Sequence, residues 1–153
     1  MILIRLTYFS RNHLDRFNGP MDDRIAEILA TSVANNQRDD VSGALVYDPK
    51  WFAQILEGRE PVVSRTFERI LRDQRHADVS LVAMQPITER CFTTFPMAAV
   101  VRDEDNADLF RHYGGSRHFD PQLMRPDRLF DLIEALVDRS REHGRARSAT
   151  SAA

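Results

Sequence analysis

Four polar side chains stand where the surrounding pattern asks for apolar ones, and they are the residues best placed to do chemistry. Tyr8 ends a strand face begun by Ile2, Ile4 and Leu6, and Gln54 lies between Phe52 and Leu56 on another strand face. Ser32 and Asn36 end a helical stripe begun by Ile25 and Ile28. A buried amide or hydroxyl without a partner costs about 1–3 kcal/mol, so each of the four needs one. Taken singly, such a group is most often satisfied by a neighbouring side chain or a backbone carbonyl. Taken together, the four converge on one interior layer. Amides, with one acceptor and a two-proton donor, can there read the alternating rim of a planar heterocycle, while Ile28 and Ile70 meet its faces.

Catalytic constellations are not expected. The carboxylate pairs Asp22 with Asp23, Asp39 with Asp40, and Asp103 with Asp105 fall in loop or helix-start contexts, where they cap and are solvated. Cys91 has His76 and His112 elsewhere in the chain, but at no spacing that makes a nucleophile and base. One cysteine forms no internal disulfide and no zinc signature, which suits a reducing cytoplasm. A formal charge of −2 gives no global attraction to nucleic acid. The opening MILIRLTYFS is strand-length and broken by Arg5, so neither a signal peptide nor a membrane span is expected.

The elements that must position these residues follow from periodicity. With 153 residues, 42% hydrophobic and 29% charged, one globular domain with an appendage is expected. A first strand ends in Tyr8; Arg11 to Met21 reads as a loop; a helix capped near Asp22 carries the Ile25 stripe. Ser42 to Tyr47 and Trp51 to Glu57 form a hairpin across Asp48, Pro49 and Lys50. Pro61 opens a second helix with Val63, Phe67, Ile70 and Leu71, and Val79 to Ile87 and Phe95 to Val101 are two more strands. The order β-α-β-β-α-β-β predicts an α+β ferredoxin-like sandwich, a five-stranded mixed sheet with two helices on one face. A short helix near Ala107 to Tyr113 and an amphipathic one over Asp127 to His143 should cover the other face. The expected divisions are a domain over 1–101, a helical extension over 102–143 and a disordered tail over 144–153. Trp51, in odd register to Gln54, should pack on the opposite face.

Five ordered segments carry a resemblance over residues 2 to 101: LTYFS with Tyr8, SGALVY, FAQILEG with Gln54, RDQRH, and RCFTTFPM. In this order and spacing the chain resembles the BLUF family of flavin-based blue-light sensors, in its short single-domain form. The resemblance implies a flavin between the two helices, FAD first, with FMN or riboflavin as alternatives because the domain mainly grips the ring. It implies that Tyr8 gives an electron and a proton, that Gln54 switches, and that Met97 neighbours Gln54. Asn36, with Asn35, would meet the polar edge of the ring, Arg75 and His76 the ribityl and phosphate side, and Ile28, Ser32, Phe52 and Ile70 would line the pocket.

Two departures accompany the match. Phe95 stands where many members have Trp, and Val33 where some have an Arg, so a competing indole and one phosphate contact are missing. The implied output runs through the last strand to the C-terminal helices and to a separate partner protein in trans, with self-association through the open sheet face or the C-terminal helix. The competing reading is a ferredoxin-like ligand-binding or structural interaction module without photochemistry.

Overall fold

The computed structural model describes residues 2–93, 96–116 and 118–152, with 144–152 given by backbone alone. Strand β1 (Leu3–Asn12) leads through a 3-10 turn (Leu14–Arg16) to helix α1 (Met21–Asp39). Then come β2 (Ser42–Tyr47), β3 (Trp51–Arg59), α2 (Glu60–Arg72), β4 (His76–Ile87) and β5 (Ala98–Val101). Helix α3 (Ala107–Gly114), a second 3-10 turn (Pro121–Leu123) and α4 (Pro126–Ala152) complete the order. The β-α-β-β-α-β-β succession is the expected one.

The strands form one five-stranded sheet in the order β4-β1-β3-β2-β5. Neighbours are antiparallel except β2 with β5, which run parallel. Central β3 is buried along both faces from Trp51 to Gly58, so its side chains sort by parity alone. Phe52 and Leu56 join Ile4, Leu6, Tyr8, Ile25, Ile28, Val63 and Met97 in a core beneath α1 and α2. Trp51, Ala53 and Ile55 join Phe92, Phe110, Phe119 and the α4 residues Leu129, Leu132, Ile133 and Leu136 in a second core. Trp51 packs edge-on to Phe9 at 5.8 Å, on the face away from Gln54 as its register required. Burying each Leu or Ile of α4 contributes roughly 1.5–3 kcal/mol.

The boundaries differ from the sequence expectation where tertiary contacts extend an element. Strand β1 runs on to Asn12, because the Asn12 N–H donates to the Lys50 carbonyl at 2.8 Å and its side-chain amide to the Asp48 carbonyl at 2.9 Å. Strand β4 begins at His76 rather than Val79, paired with that same extension. Strand β5 begins at Ala98; Phe95, the expected first residue, lies outside the described residues, as do Met1, Thr94, Arg117 and Ala153. Helix α4 starts at Pro126 and its backbone continues to Ala152, across the stretch expected to be disordered; the side chains of 144–152 lie outside those described. The sheet face offered as a self-association surface is taken up by α3 and α4 of the same chain.

Gly43 of β2 is required by close approach. A Cβ there would lie 2.0 Å from the Ile55 carbonyl oxygen. Gly43→Ala is expected to destabilise by about 3 kcal/mol or more, read as a lowered urea midpoint. Gly115, at φ 72° with nothing near its Cβ position, should lose only about 1 kcal/mol on Gly115→Ala.

Candidate functional site

Antiparallel registry sets the centre of the site: Tyr8 of β1 lies directly opposite Gln54 of β3, so both side chains leave the same face. Tyr8 is fully buried and its hydroxyl donates to Gln54 Oε1, while Gln54 Nε2 lies 3.3 Å from Met97 Sδ. The three form one line, Tyr8 to Gln54 to Met97. A thioether accepts but never donates, so only the amide nitrogen suits that end. Phenol at one end and sulfur at the other fix how the amide lies.

A cavity of about 190 Å³ opens between α1 and α2 above this line. Its walls include Ile28 and Ile70, the hydroxyls of Thr31 and Ser32, and the amides of Asn35, Asn36 and Gln54. Met97, Arg75 and His76 line it as well, and all of these but Thr31 are residues the sequence points to. Asn36 also donates to the Pro96 carbonyl at 2.8 Å, which holds the chain just before Met97. Tyr8 and Phe52 are not in the wall. Tyr8 stands behind Gln54, and Phe52 lies beneath His76, ring centroids 4.6 Å apart. Phe52 therefore supports the pocket rather than lining it, because its large ring is wholly buried in the core.

Sequence reasoning missed Thr31, Leu45, Leu56, Thr66, Arg69 and Asp73, all of which reach the cavity. Arg69, which stays exposed, and half-buried Asp73 border the cavity, and periodicity carries no signal for either. Arg69 bonds Asp39 and Thr66, each at 3.2 Å. Arg75, expected to reach towards a phosphate, instead folds back on Asp73 through contacts of 2.5 to 3.0 Å. Burial works against the Asp73 charge, but the hydrogen bonds and charge of Arg75 outweigh it and hold the carboxyl below its ordinary range.

Burial displaces the titrations around Gln54. It pushes the Tyr8 phenol far above its ordinary value, with the Asp73 charge adding to the effect. It pushes His76 down to about 4, with Asp73 opposing and Arg75 reinforcing. His76 is therefore neutral near pH 7, and its Nδ1 shares a 2.8 Å hydrogen bond with the Ser10 hydroxyl.

The family model for BLUF, sensors of blue light using FAD, matches residues 3–98. The chain belongs to the BLUF family. The alpha subunit of photoactivated adenylate cyclase from Euglena gracilis is 35% identical over 92 residues, which is 59% of this chain and 8% of that protein. The chain thus spans less than a tenth of the length of such relatives. The photo-activated state of BlsA aligns with a TM-score of 0.80 at 29% identity, covering 89% of this chain and 95% of that one. Klebsiella pneumoniae BlrP1 with FMN and cyclic diGMP aligns with a TM-score of 0.59 at 27% identity, covering 65% of this chain and 26% of that one.

The pocket chemistry fits the flavin of a BLUF domain. Aliphatic walls from Ile28 and Ile70 suit the faces of a planar ring, and three amides with two hydroxyls suit its polar rim. No helix among the described residues is long and apolar enough to cross a membrane.

The His76 shift predicts a pH dependence of stability. Its folded value of about 4 lies below the ordinary 6.5, so between the two the unfolded chain binds a proton that the folded chain does not. Stability is full above about 6.5 and is lost as pH falls towards 4. Denaturation at about pH 7.5 and about pH 5 should differ by about 2 kcal/mol from this residue. His76→Gln should remove that difference.

Proposed function

We propose that the chain is a blue-light receptor in which Tyr8 and Gln54 read the excitation of a flavin held between α1 and α2. The observation that carries this reading is the line from the Tyr8 hydroxyl through the Gln54 amide to Met97, of which Gln54 and Met97 stand in the cavity wall. The bound flavin supplies blue-light absorption and, once excited, an electron acceptor.

The protein side of the mechanism follows from burial. Tyr8 keeps its proton at every working pH, so it starts as a neutral phenol. Loss of an electron alone would leave an unpaired cation in an apolar core, at a cost of several kcal/mol. The proton therefore leaves with the electron, along the hydrogen bond to Gln54 Oε1. An amide that receives and returns a proton can come back rotated or as its tautomer. Rotation would turn Oε1 towards Met97, a sulfur that cannot donate, so that the Met97 contact is lost and Nε2 takes the place that Oε1 held. Two arrangements of one amide give the bistable element that a switch needs.

The cofactor is FAD on this reading, with FMN or riboflavin taken up in its place. Arg75 is occupied by Asp73, so the ring rather than the phosphate carries the binding energy. Output passes from Met97 through β5 to α3 and α4, and on to a separate protein.

Protein loaded with flavin should be yellow, and its absorption bands should move reversibly to the red under blue light. Tyr8→Phe should bind flavin and lose the shift; a full reversible shift in that variant would remove Tyr8 from the mechanism. Dissociation constants for riboflavin, FMN and FAD, measured by flavin fluorescence, should agree within about tenfold, or about 1.4 kcal/mol. A much tighter FAD complex would show that the phosphates are gripped after all.

A further inference from the structure

Glu57 is a fully buried carboxylate on β3, in odd register to Gln54 and so on the opposite face of the sheet. Its Oε1 accepts from the backbone N–H groups of Cys91 at 2.9 Å and Phe92 at 2.8 Å. Its Oε2 accepts from Arg5 Nε at 2.9 Å and lies 2.8 Å from the terminal guanidinium nitrogen. The Arg5 guanidinium sits over the Phe130 ring of α4 at 4.6 Å and reaches Cys91 Sγ at 3.1 Å. Phe92 packs edge-on to Phe130 at 6.5 Å.

We propose that Glu57 is a positioning residue of the Tyr8–Gln54–Met97 switch, holding the segment that carries Met97 to the sheet and joining it, through Arg5, to α4. The proposal rests on the flavin-switch reading above. Phe92 belongs to the core under α4, and Met97, five residues later, to the core under α1 and α2. The start of the segment carrying Met97 is pinned where Arg90 donates to the Asp40 carbonyl at 2.9 Å and to the Ser42 hydroxyl at 3.3 Å. Its end is pinned by Asn36 on the Pro96 carbonyl. Between them, Glu57 is the acceptor that orients the turn at Cys91 and Phe92.

A leucine could fill the volume of Glu57 but could not receive two backbone N–H groups. Burying a carboxylate is expensive compared with burying an apolar residue of the same size, so packing alone does not account for it. Phe92 touches Phe130 of α4 directly, Cys91 meets Glu134 of α4, and Arg5 of β1 bridges Glu57 and Cys91 to the Phe130 ring. Glu57→Gln keeps the shape but replaces one acceptor oxygen with a donor that opposes Arg5 or a backbone N–H.

The test uses the full chain loaded with FAD, comparing Glu57→Gln, Phe130→Leu and, as a control on the exposed Arg139 pair of α3 and α4, Asp108→Asn. Three quantities are read: the red shift, the dark recovery rate, and the light-minus-dark difference in amide exchange across residues 126–143. Glu57→Gln should keep the red shift, change recovery by about fivefold or more, and lose the exchange difference. Phe130→Leu should keep shift and recovery and lose only the exchange difference, and Asp108→Asn should match wild type in all three. Wild-type recovery together with a wild-type exchange difference in Glu57→Gln overturns the proposal. Should that variant not fold, Phe130→Leu decides: a retained exchange difference overturns the route to α4, and its loss supports it. A wild-type protein with no red shift overturns the flavin-switch reading itself, an outcome distinct from a shift that persists without the Glu57 effect.

Discussion

The rest of the site depends on how one buried amide is held. Gln54 has two acceptor sites and two donor protons, and the protein engages one of each, through Tyr8 and Met97. Its remaining capacity faces the cavity, where Asn35, Asn36 and Ser32 present groups of the same kind. A carboxylate in this place would be fixed by its charge, and a leucine would have nothing to say to either neighbour. Only a primary amide has a donor end and an acceptor end that differ in chemistry but hardly in shape. Rotating it exchanges hydrogen bonds without repacking the core, so its two states can lie close in energy.

That arrangement asks the sheet to be rigid while the segment beyond it can respond. Strand β3 supplies the rigidity by being central, paired on both sides and buried on both faces. Gly43 lets β2 approach it more closely than any side chain would allow. Consecutive residues of β3 serve opposite cores, Gln54 the cavity and Ile55 the α4 side, so the two halves of the molecule share one backbone. Phe92 and Met97, five residues apart in the chain, also belong one to each core.

Much of this was legible because period-2 patterning assigns faces without any knowledge of pairing. Tyr8 and Gln54 were placed on an inner face by their neighbours, and the sheet then set them directly opposite one another. Trp51 was assigned correctly by the same parity. What periodicity does not contain is the approach of one helix to another. Arg69 and Asp73 carry charges that belong, by sequence, to a solvated helix end; they reach the cavity only because α2 packs beside α1. Phe52 shares the parity of Gln54 but lies one layer deeper, and parity says nothing of depth. The resemblance directs Arg75 to the ribityl and phosphate side, and the local turn that returns it to Asp73 leaves no periodic trace.

Burial also decides which chemistry the site leaves alone. Around Gln54 the two nearest titratable rings, Tyr8 and His76, are both driven towards their neutral forms, the phenol upward and the imidazole downward. Near neutral pH neither changes charge, so no proton from solvent competes for the hydrogen bonds that orient the amide. The charged pair Arg75 and Asp73 lies at the rim and is internally compensated. On the mechanism proposed above, removal of an electron from Tyr8 would turn a phenol that burial keeps protonated into a strong acid beside an amide oxygen. Both rings thus keep one charge state across the neutral range, so the hydrogen bond from the Tyr8 hydroxyl that orients the amide does not titrate there.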